Sequence, residues 1–315
     1  MIRYIVKRIL LMIPVIIGVT WLIFTIMYFT PGDPAQIILG SEVSTEVLEA
    51  KREELGLNKS YIERFVEYAK DVYFHFDFGE SYMNGKPVIE DIFQRFPYTL
   101  RVASISVCLA LLIGIPLGVI AAVNQYSWKD NASMLVALVG ISMPGFWVGQ
   151  MLSLLFALKL GLLPASGVDG PASYILPCLA IGLTGCASIA RQTRSAMLEV
   201  IRQDYIVTAR AKGIINSKVI FVHGLRNALI PVATQAGTSF GMQLGGAIVA
   251  ESVFSIPGIG TYMMNSISSR DYPAIQGSVI FVAVVFSLVM LLVDLVYAFI
   301  DPRIKVQYAG KKRKK

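Results

Sequence analysis

The string GTSFG at residues 237–241 matches G-x-S-x-G, a spacing that presents a nucleophilic serine in some hydrolases. Such a serine needs a histidine within hydrogen-bond reach, and the chain contains only His75 and His223. His223 precedes Ser239 by 16 residues, which is about 24 Å along a helix axis. The spacing therefore argues against a serine protease.

The glycines of this stretch suggest a structural role instead. They recur at every fourth position, at Gly237, Gly241 and Gly245. In membrane helices, small residues at this spacing let two helix backbones approach closely. We therefore predict close helix packing here.

Nucleotide and metal chemistry find no better support in the sequence. The string nearest to a phosphate-binding G-x-x-x-x-G-K-[ST] loop is GLNKS at 56–60, which lacks the glycine before lysine. Two isolated histidines and three cysteines, at Cys108, Cys178 and Cys186, give no zinc-ligand spacing. We expect no catalytic residue, no cofactor and no metal ion in this chain.

The chain as a whole is unusually apolar. Of the 315 residues, 55% are hydrophobic and 16% are charged, against about 25% charged in a typical soluble domain. Runs without Asp, Glu, Lys or Arg occupy 9–32, 102–128, 131–158, 170–190, 227–250 and 272–293. About 20 apolar residues span a bilayer as a helix, and these runs are continuous rather than alternating. The sequence predicts an all-α polytopic membrane protein with six transmembrane helices, which excludes a secreted or cytosolic enzyme.

The placement of charge predicts the orientation. Residues 31–98 carry 13 acidic and 7 basic side chains, whereas 191–226 carry 7 basic and 2 acidic. Basic residues also cluster before residue 9 and in the last 15 residues. Because basic loops stay in the cytoplasm, we expect both termini and 191–226 inside and 31–98 outside. The net charge of +7 is thus a gradient across the membrane, which argues against nucleic acid as a partner.

The same pattern predicts four parts. They are an N-terminal tail with span 1 (1–30), an extracytoplasmic helical region (31–98), a core of spans 2–6 (99–300) and a basic cytoplasmic tail (301–315). The run from Ile9 to Thr30 exceeds a signal-peptide core of about 7–15 residues, and no A-x-A site follows it. We therefore expect an uncleaved first span.

Local signals predict helices within 31–98. Ser44 can cap a first helix that Gly56 ends, and a second is expected from Ser60 to about Phe74. Apolar residues of the second helix recur at amphipathic spacing, at Tyr61, Phe65, Tyr68 and Val72. About 65 residues are marginal for an independent core, so this region should pack on the spans or on a partner.

Two short helices are expected in the basic loop 191–226. Asp204 can cap one from Tyr205 to Lys212 that Gly213 ends, and Ser217 can cap another from 218 to 225. Such a helix is suited to dock on a soluble partner, although a loop that merely sets topology would have the same charge.

Other local features carry weaker expectations. Pro116 and Pro144 should kink spans 2 and 3, and the string PGIG at 257–260 predicts a bent or re-entrant outer segment. Asp294 is interpreted as a structural residue near the inner interface, with an ion or proton site as the alternative.

Strings in the basic loop 191–226 and just after it resemble the cytoplasmic signature of an ABC-importer permease, the B-type membrane subunit of the dipeptide/oligopeptide/nickel family. They are RQTRSAMLE (191–199), DYIVTARAKG (204–213) and HGLRNALIP (223–231). The resemblance extends over nearly the whole chain, through PGDP (31–34), FGES (78–81), ESVF (251–254), PGIG (257–260), RDYP (270–273) and DPR (301–303).

The resemblance implies a type I importer fold and a coupling helix that inserts into an ATPase subunit. The implied coupling residues are Tyr205, Thr208, Ala209, Arg210, Ala211, Lys212 and Gly213, followed by His223, Arg226 and Asn227. Val207 stands where the general E-A-A-x-x-x-G motif has Glu, so no glutamate contact to the ATPase is expected. The implied outer-gate residues are Glu251, Pro257, Gly258 and Gly260.

The resemblance also implies an assembly in the cytoplasmic membrane of a bacterium or archaeon. A homologous second permease would complete the pathway, two ATPase subunits would bind ATP and Mg²⁺, and an outer solute-binding protein would deliver substrate. This chain would itself perform no catalysis. Peptide is the first expectation for the substrate and nickel the alternative. An ATP-independent secondary transporter or channel is a less favoured class.

Polar residues within the apolar runs are the candidates for lining a pathway. They are Asn124, Gln150, Gln235, Ser239 and Gln243. A peptide needs a mostly neutral cavity with polar groups that bond to its backbone, which amide and hydroxyl side chains can supply. The sequence does not indicate which of them face one another.

Overall fold

The computed structural model of the chain describes residues 2–40, 43–245 and 247–300. The predicted basic tail, 301–315, lies outside the described residues. The boundaries 1–30, 31–98 and 99–300 stay predictions. We refer to residues 31–98 below as the insertion.

The described part of the chain is mostly helical and forms no strand, which confirms the predicted all-α class. The helices are α1 (Ile2–Phe29), α2 (Pro34–Leu39), α3 (Thr45–Glu54), α4 (Tyr61–Lys70), α5 (Val88–Val123), α6 (Trp128–Ser142), α7 (Gly145–Leu152), α8 (Ile175–Ile201), α9 (Asp204–Ala211), α10 (Asn216–Lys218), α11 (Leu225–Leu244), α12 (Ile248–Val253), α13 (Ile259–Ser269) and α14 (Tyr272–Ile300). The π-helical segments Asp71–His75, Ser153–Lys159 and Val219–Gly224 continue α4, α7 and α10.

Four helical segments within these ranges are long and apolar enough to cross a membrane. They are Ile5–Phe29, Val88–Val123, Pro171–Ile201 and Tyr272–Val296. The bent pair Trp128–Ser142 and Gly145–Lys159 makes a fifth if it is one broken span. The remaining predicted run, 227–250, corresponds mainly to α11, which is not among the segments apolar enough to qualify. The count of six spans and the orientation therefore stay predictions.

The third predicted span is broken rather than kinked. Its two halves meet at an angle of 97° around Pro144. Met143, which precedes the proline, has extended backbone angles of φ −84° and ψ 128°. A residue before proline is disfavoured in the helical region, because the proline ring clashes with its backbone. The expected kink at Pro144 is present, but the helix is interrupted there rather than only bent.

The helices α5 and α8 pack closely because glycines face the partner backbone. A Cβ atom on Gly114 would lie 2.7 Å from the Cys186 carbonyl oxygen, and one on Gly118 would lie 2.5 Å from that of Ala190. Real Cβ atoms are essentially never found so near other heavy atoms. The two backbones can therefore approach this closely only where the side chain is absent.

The glycine face of α11 packs on α14 in the same way, which confirms the packing interpretation of these residues. A Cβ atom on Gly241 would lie 2.8 Å from the Phe286 ring, and one on Gly245 would lie 3.3 Å from Val282. A Cβ atom on Gly237 would overlap Val293. The G-x-S-x-G string is thus part of a helix interface.

An ion pair joins the first and last long helices. The Arg8 guanidinium lies 2.9 Å from the Asp294 carboxylate. It connects α1 to α14, which also pack on each other along their length. This contact supports the structural interpretation of Asp294.

The insertion rests on α1 through the apolar face of α4. The Tyr61 hydroxyl lies 2.7 Å from that of Thr25, and the Tyr73 hydroxyl lies 2.6 Å from that of Thr20. The N-terminus of α4 carries a capping box, in which Ser60 and Glu63 bond to each other's backbone N–H groups. Caps at Ser44 and Ser60 confirm the two helix starts expected in this region.

A buried carboxylate joins the N-terminal part of α5 to the segment α12–α13. Glu251 is fully buried, and it accepts hydrogen bonds from the Thr99 hydroxyl (2.6 Å) and the Thr261 N–H (3.0 Å). The Gly260 N–H also donates to it. The Thr99 hydroxyl in turn accepts from the Ile259 N–H at 2.9 Å. A Cβ atom on Gly258 would overlap the carboxylate, so glycine there makes room for it.

Replacing Gly118 by alanine should destabilise the protein by about 1–3 kcal/mol, because the added methyl group forces α5 and α8 apart. Thermal unfolding of the purified protein measures the change. Gly18→Ala on α1 is the matched control, since a Cβ atom there meets nothing within 4 Å. Equal unfolding midpoints for the two variants would contradict the close-approach argument.

Replacing Glu251 by glutamine should cost about 1–3 kcal/mol, because the new NH₂ group would face a donor that now bonds to the carboxylate. The unfolding midpoint again measures the loss. Glu80→Gln removes an exposed carboxylate and should change stability by less than about 0.5 kcal/mol. A Glu251→Gln variant as stable as Glu80→Gln would show that the buried network does not stabilise the outer segment.

Candidate functional site

The predicted coupling helix forms almost where expected. Helix α9 begins at Asp204, follows α8 directly and is succeeded by Gly213 with φ +73°. The expected αL stop at Gly213 is confirmed. Asp204 is the first helical residue rather than the cap; Gln203 holds the cap position without a side-chain hydrogen bond. The carboxylate in this first turn still complements the helix dipole.

One face of α9 is buried and the other is exposed. Ile206 and Ala209 pack against Val219 in a small apolar cluster. Among the predicted coupling residues in 205–213, the exposed ones are Tyr205, Thr208, Arg210, Ala211, Lys212 and Gly213. Ala209 differs from these because its side chain anchors the helix and is not available for docking.

The other predicted coupling residues lie beside α9, at the end of the π-helical segment and the start of α11. The Asn227 amide donates to the Tyr205 hydroxyl at 2.8 Å and to the His223 carbonyl oxygen at 3.3 Å. This bond joins α9 to α11 across 22 residues. Arg226 is exposed next to Asn227. The structure thus brings Tyr205, His223 and Asn227 together.

The expected cap at Ser217 was wrong. Helix α10 begins at Asn216 with Ile215 in the cap position, so Ser217 lies inside it. The π-helical segment Val219–Gly224 then continues without interruption into α11. A residue can cap a helix only where its own backbone lies outside the helical region, and here that residue is Ile215.

Exposed apolar residues around α9 were not identified from the sequence. Val207 is 58% exposed and Ile215 is 75% exposed, within a loop that carries seven basic residues between 191 and 226. The available signal was Val207: it follows Ile206 by one position, so on a helix it cannot share the face that buries Ile206 and Ala209. Exposed apolar side chains in a polar surface are typical of protein-binding sites.

A buried ion pair near this surface was also missed. The Arg194 guanidinium donates two hydrogen bonds of 2.7 Å to the Asp130 carboxylate, whose side chain is almost fully buried. The Tyr126 N–H also donates to Asp130 at 3.0 Å. The pair fixes the start of α6 to α8, about three helical turns before α9 begins. Its partners are 64 residues apart, so no local pattern indicates it.

Three of the candidate pathway residues share one face of α11. Gln235, Ser239 and Gln243 recur every fourth residue, two positions before each glycine of the α14 interface. Two residues correspond to about 200° of helix rotation, so this polar face points away from α14. The Gln243 carbonyl oxygen is buried and has no hydrogen-bond partner among the described residues.

The remaining candidates lie elsewhere. Gln150 is on α7, and Asn124 caps the end of α5 by donating to the Ile120 carbonyl oxygen at 2.8 Å. The segment predicted to be bent or re-entrant forms as two helices, α12 and α13, with Pro257 between them. Glu251, Gly258 and Gly260 belong to the buried network described above.

Comparison with known proteins gives matches over most of the chain. Residues 114–306 match the family described as binding-protein-dependent transport system inner membrane component. Residues 1–103 match the N-terminal family of the same transport-system membrane components. The chain is 43% identical to the dipeptide transport system permease protein DppB of Alkalihalophilus pseudofirmus, over 97% of this chain and 100% of that protein. It is 41% identical to the glutathione transport system permease protein GsiC of Escherichia coli K12, over 97% and 99%.

Solved structures support the fold. The MetNI methionine ABC transporter, in an inward-facing crystal form, matches with a TM-score of 0.58 and 16% identity. The match covers 69% of this chain and 99% of the transporter chain. The chain therefore belongs to the binding-protein-dependent transport system inner membrane components, as an ABC-importer permease of the dipeptide/oligopeptide family.

Proposed function

We propose that this chain forms half of the translocation pathway of an ATP-driven importer of di- or oligopeptides. A homologous permease would supply the other half, two ATP-binding subunits would dock on the inner face, and a solute-binding protein would deliver substrate outside. ATP hydrolysis would take place in the partner subunits. The single observation that carries the proposal is the exposed face of α9, which is anchored by Ile206 and bonded to α11 through Tyr205 and Asn227.

The geometry suggests how α9 would act. An ATPase that moves α9 would pull on α8, which precedes it directly, and on α11 through the Asn227–Tyr205 bond. Helix α11 carries the polar face of Gln235, Ser239 and Gln243. A displacement at the inner surface would thus reach the candidate pathway residues through one hydrogen bond and a continuous helix, which suits alternating access.

Peptide is favoured over nickel as the substrate. The substrates in the relatives' names, dipeptide and glutathione, are both short peptides. Amide and hydroxyl groups on α11 can donate to and accept from peptide bonds without placing a charge in the path. Nickel import by the same machinery is the alternative.

The substrate class can be decided with the partner that delivers it. We expect the cognate solute-binding protein to bind di- or tripeptides in calorimetric titration, with no measurable binding of Ni²⁺. Uptake assays in cells that lack the ATPase subunits then test the energy source. Nickel binding would replace the substrate assignment, and uptake that survives without the ATPases would favour a secondary transporter.

Substitutions in α9 test the coupling role. Arg210→Ala should reduce substrate-stimulated ATP hydrolysis in the reconstituted complex by about tenfold, as losing about 1.4 kcal/mol of coupling would do. Gly213→Ala should act in the same direction, because alanine is strained at φ +73°. Lys7→Ala, an exposed basic residue on α1, is the control and should have no effect. Normal stimulation in both α9 variants would contradict the assigned role.

A further inference from the structure

Exposed apolar side chains lie along one flank of α4, in the insertion. Ile62 is 71% exposed and Val66 is 57% exposed. Three aromatic rings on the adjacent face of α4 lie 5.4–5.6 Å from the Phe24 ring of α1. They belong to Tyr61, Phe65 and Tyr68. Since Ile62 and Val66 lie roughly 100–140° around the helix from Tyr61, the apolar surface of α4 is wider than the part that α1 covers.

The charged side chains of α4 lie on the other flank, roughly 180–300° around the helix from Tyr61. They are Glu63, Arg64, Glu67 and Lys70. Arg64 and Glu67 line a cleft of about 670 Å³ between the insertion and the start of α14. Neither Ile62 nor Val66 lines this cleft. The apolar flank of α4 therefore faces away from it.

Helix α4 runs alongside the membrane span of α1 rather than beyond its end. At the start of α4, the Tyr61 hydroxyl lies 2.7 Å from that of Thr25. Just after α4, the Tyr73 hydroxyl lies 2.6 Å from that of Thr20. Thr20 is nine positions before Phe29, where this span ends, which is about 13.5 Å along the helix axis. Half of the apolar thickness of a bilayer is about 15 Å, so the turn after α4 lies at the depth of the acyl chains.

The membrane-facing surface of α1 continues onto the apolar flank of α4. Trp21 and Phe29 are exposed, and each lies about one turn from Thr25, which bonds to Tyr61. The Phe29 ring lies 6.4 Å from the Tyr61 ring, and Ile62 is the next residue of α4. Because α1 is a membrane span, its exposed side chains contact lipid. The exposed residues of α4 extend this surface sideways at the same depth.

The turn after α4 adds two exposed phenylalanines to this surface. Phe74 is 78% exposed and Phe76 is 74% exposed. The carboxylates of the same turn lie elsewhere, because Asp71 and Asp77 line the cleft. His75 bonds to Asp71 at 3.2 Å. An apolar side opposite a charged side is typical of a helix that lies in a membrane with its polar groups toward water.

We propose that lipid acyl chains cover the apolar flank of α4 and the turn after it, with contacts at Ile62, Val66, Phe74 and Phe76. Lipid is the occupant rather than a protein, because this flank carries no charge and continues the surface of a membrane span. The insertion is then partly embedded in the leaflet on its own side, while its charged flank lines the cleft. The proposal does not depend on what the chain transports.

Spin labels on single cysteines test this placement. The full-length chain, with the subunits that co-purify with it, is placed in nanodiscs of phosphatidylcholine and phosphatidylglycerol. The variants are Ile62→Cys, Val66→Cys and Phe74→Cys. Each also carries Cys108→Ser, because Cys108 is exposed whereas Cys178 and Cys186 are buried. Power-saturation electron paramagnetic resonance then measures the accessibility of each label to oxygen, which concentrates in acyl chains, and to a neutral nickel chelate, which stays in water.

Two control positions lie in the same insertion. Glu67→Cys places the label on the charged flank of α4, and Val47→Cys places it at a half-exposed apolar residue of α3. We expect the ratio of oxygen to chelate accessibility to be at least about fivefold higher at the three test positions than at either control, since only the former lie among acyl chains. The ratio should also rise from Ile62→Cys to Phe74→Cys, because the chain descends along α1.

Two results would overturn the proposal. Chelate accessibility at Ile62→Cys and Val66→Cys equal to that at Val47→Cys would place the flank in water. Low accessibility to both reagents would show that a protein surface covers it. Since no transport or ATP hydrolysis is measured, neither result depends on the proposed import function.

Discussion

The contact between α5 and α8 is the constraint on which the rest of the structure depends. Glycines at positions 114 and 118 let the two backbones approach to a distance that no side chain would allow. Both ends of this helix pair carry the connections described above. At one end, Arg194 of α8 holds α6 through Asp130, and at the other end, Thr99 of α5 holds Glu251. A pair packed this tightly behaves as one rigid body, because protein interiors resist compression.

Features set by neighbouring residues could be predicted from the sequence. The caps at Ser44 and Ser60 and the αL residue Gly213 depend on a side chain and the backbone next to it. The glycine face of α11 follows from a spacing of four. The rule that a residue before proline avoids the helical region predicts an interruption at Pro144. It does not predict the 97° bend, because packing of the two halves sets that angle.

Features that join distant segments could not be predicted. Thr99 and Glu251 are 152 residues apart, and nothing near either residue indicates the other. The coupling surface is an intermediate case. Its position came from sequence strings, but its exposed face depends on Val219, which closes over Ile206 and Ala209 from the following helix. The cap assigned to Ser217 failed for a similar reason: residue type alone does not determine where the backbone is extended.

The ion pair between Arg8 and Asp294 has a consequence for how the chain is made. The two residues are separated by 294 − 8 = 286 positions, and a ribosome adds about 5–20 residues per second. Helix α1 therefore enters the membrane roughly 15–60 s before its counterpart on α14 exists. During biogenesis the first helix must wait in the bilayer, or against the insertion machinery, and the last helix to emerge completes its docking.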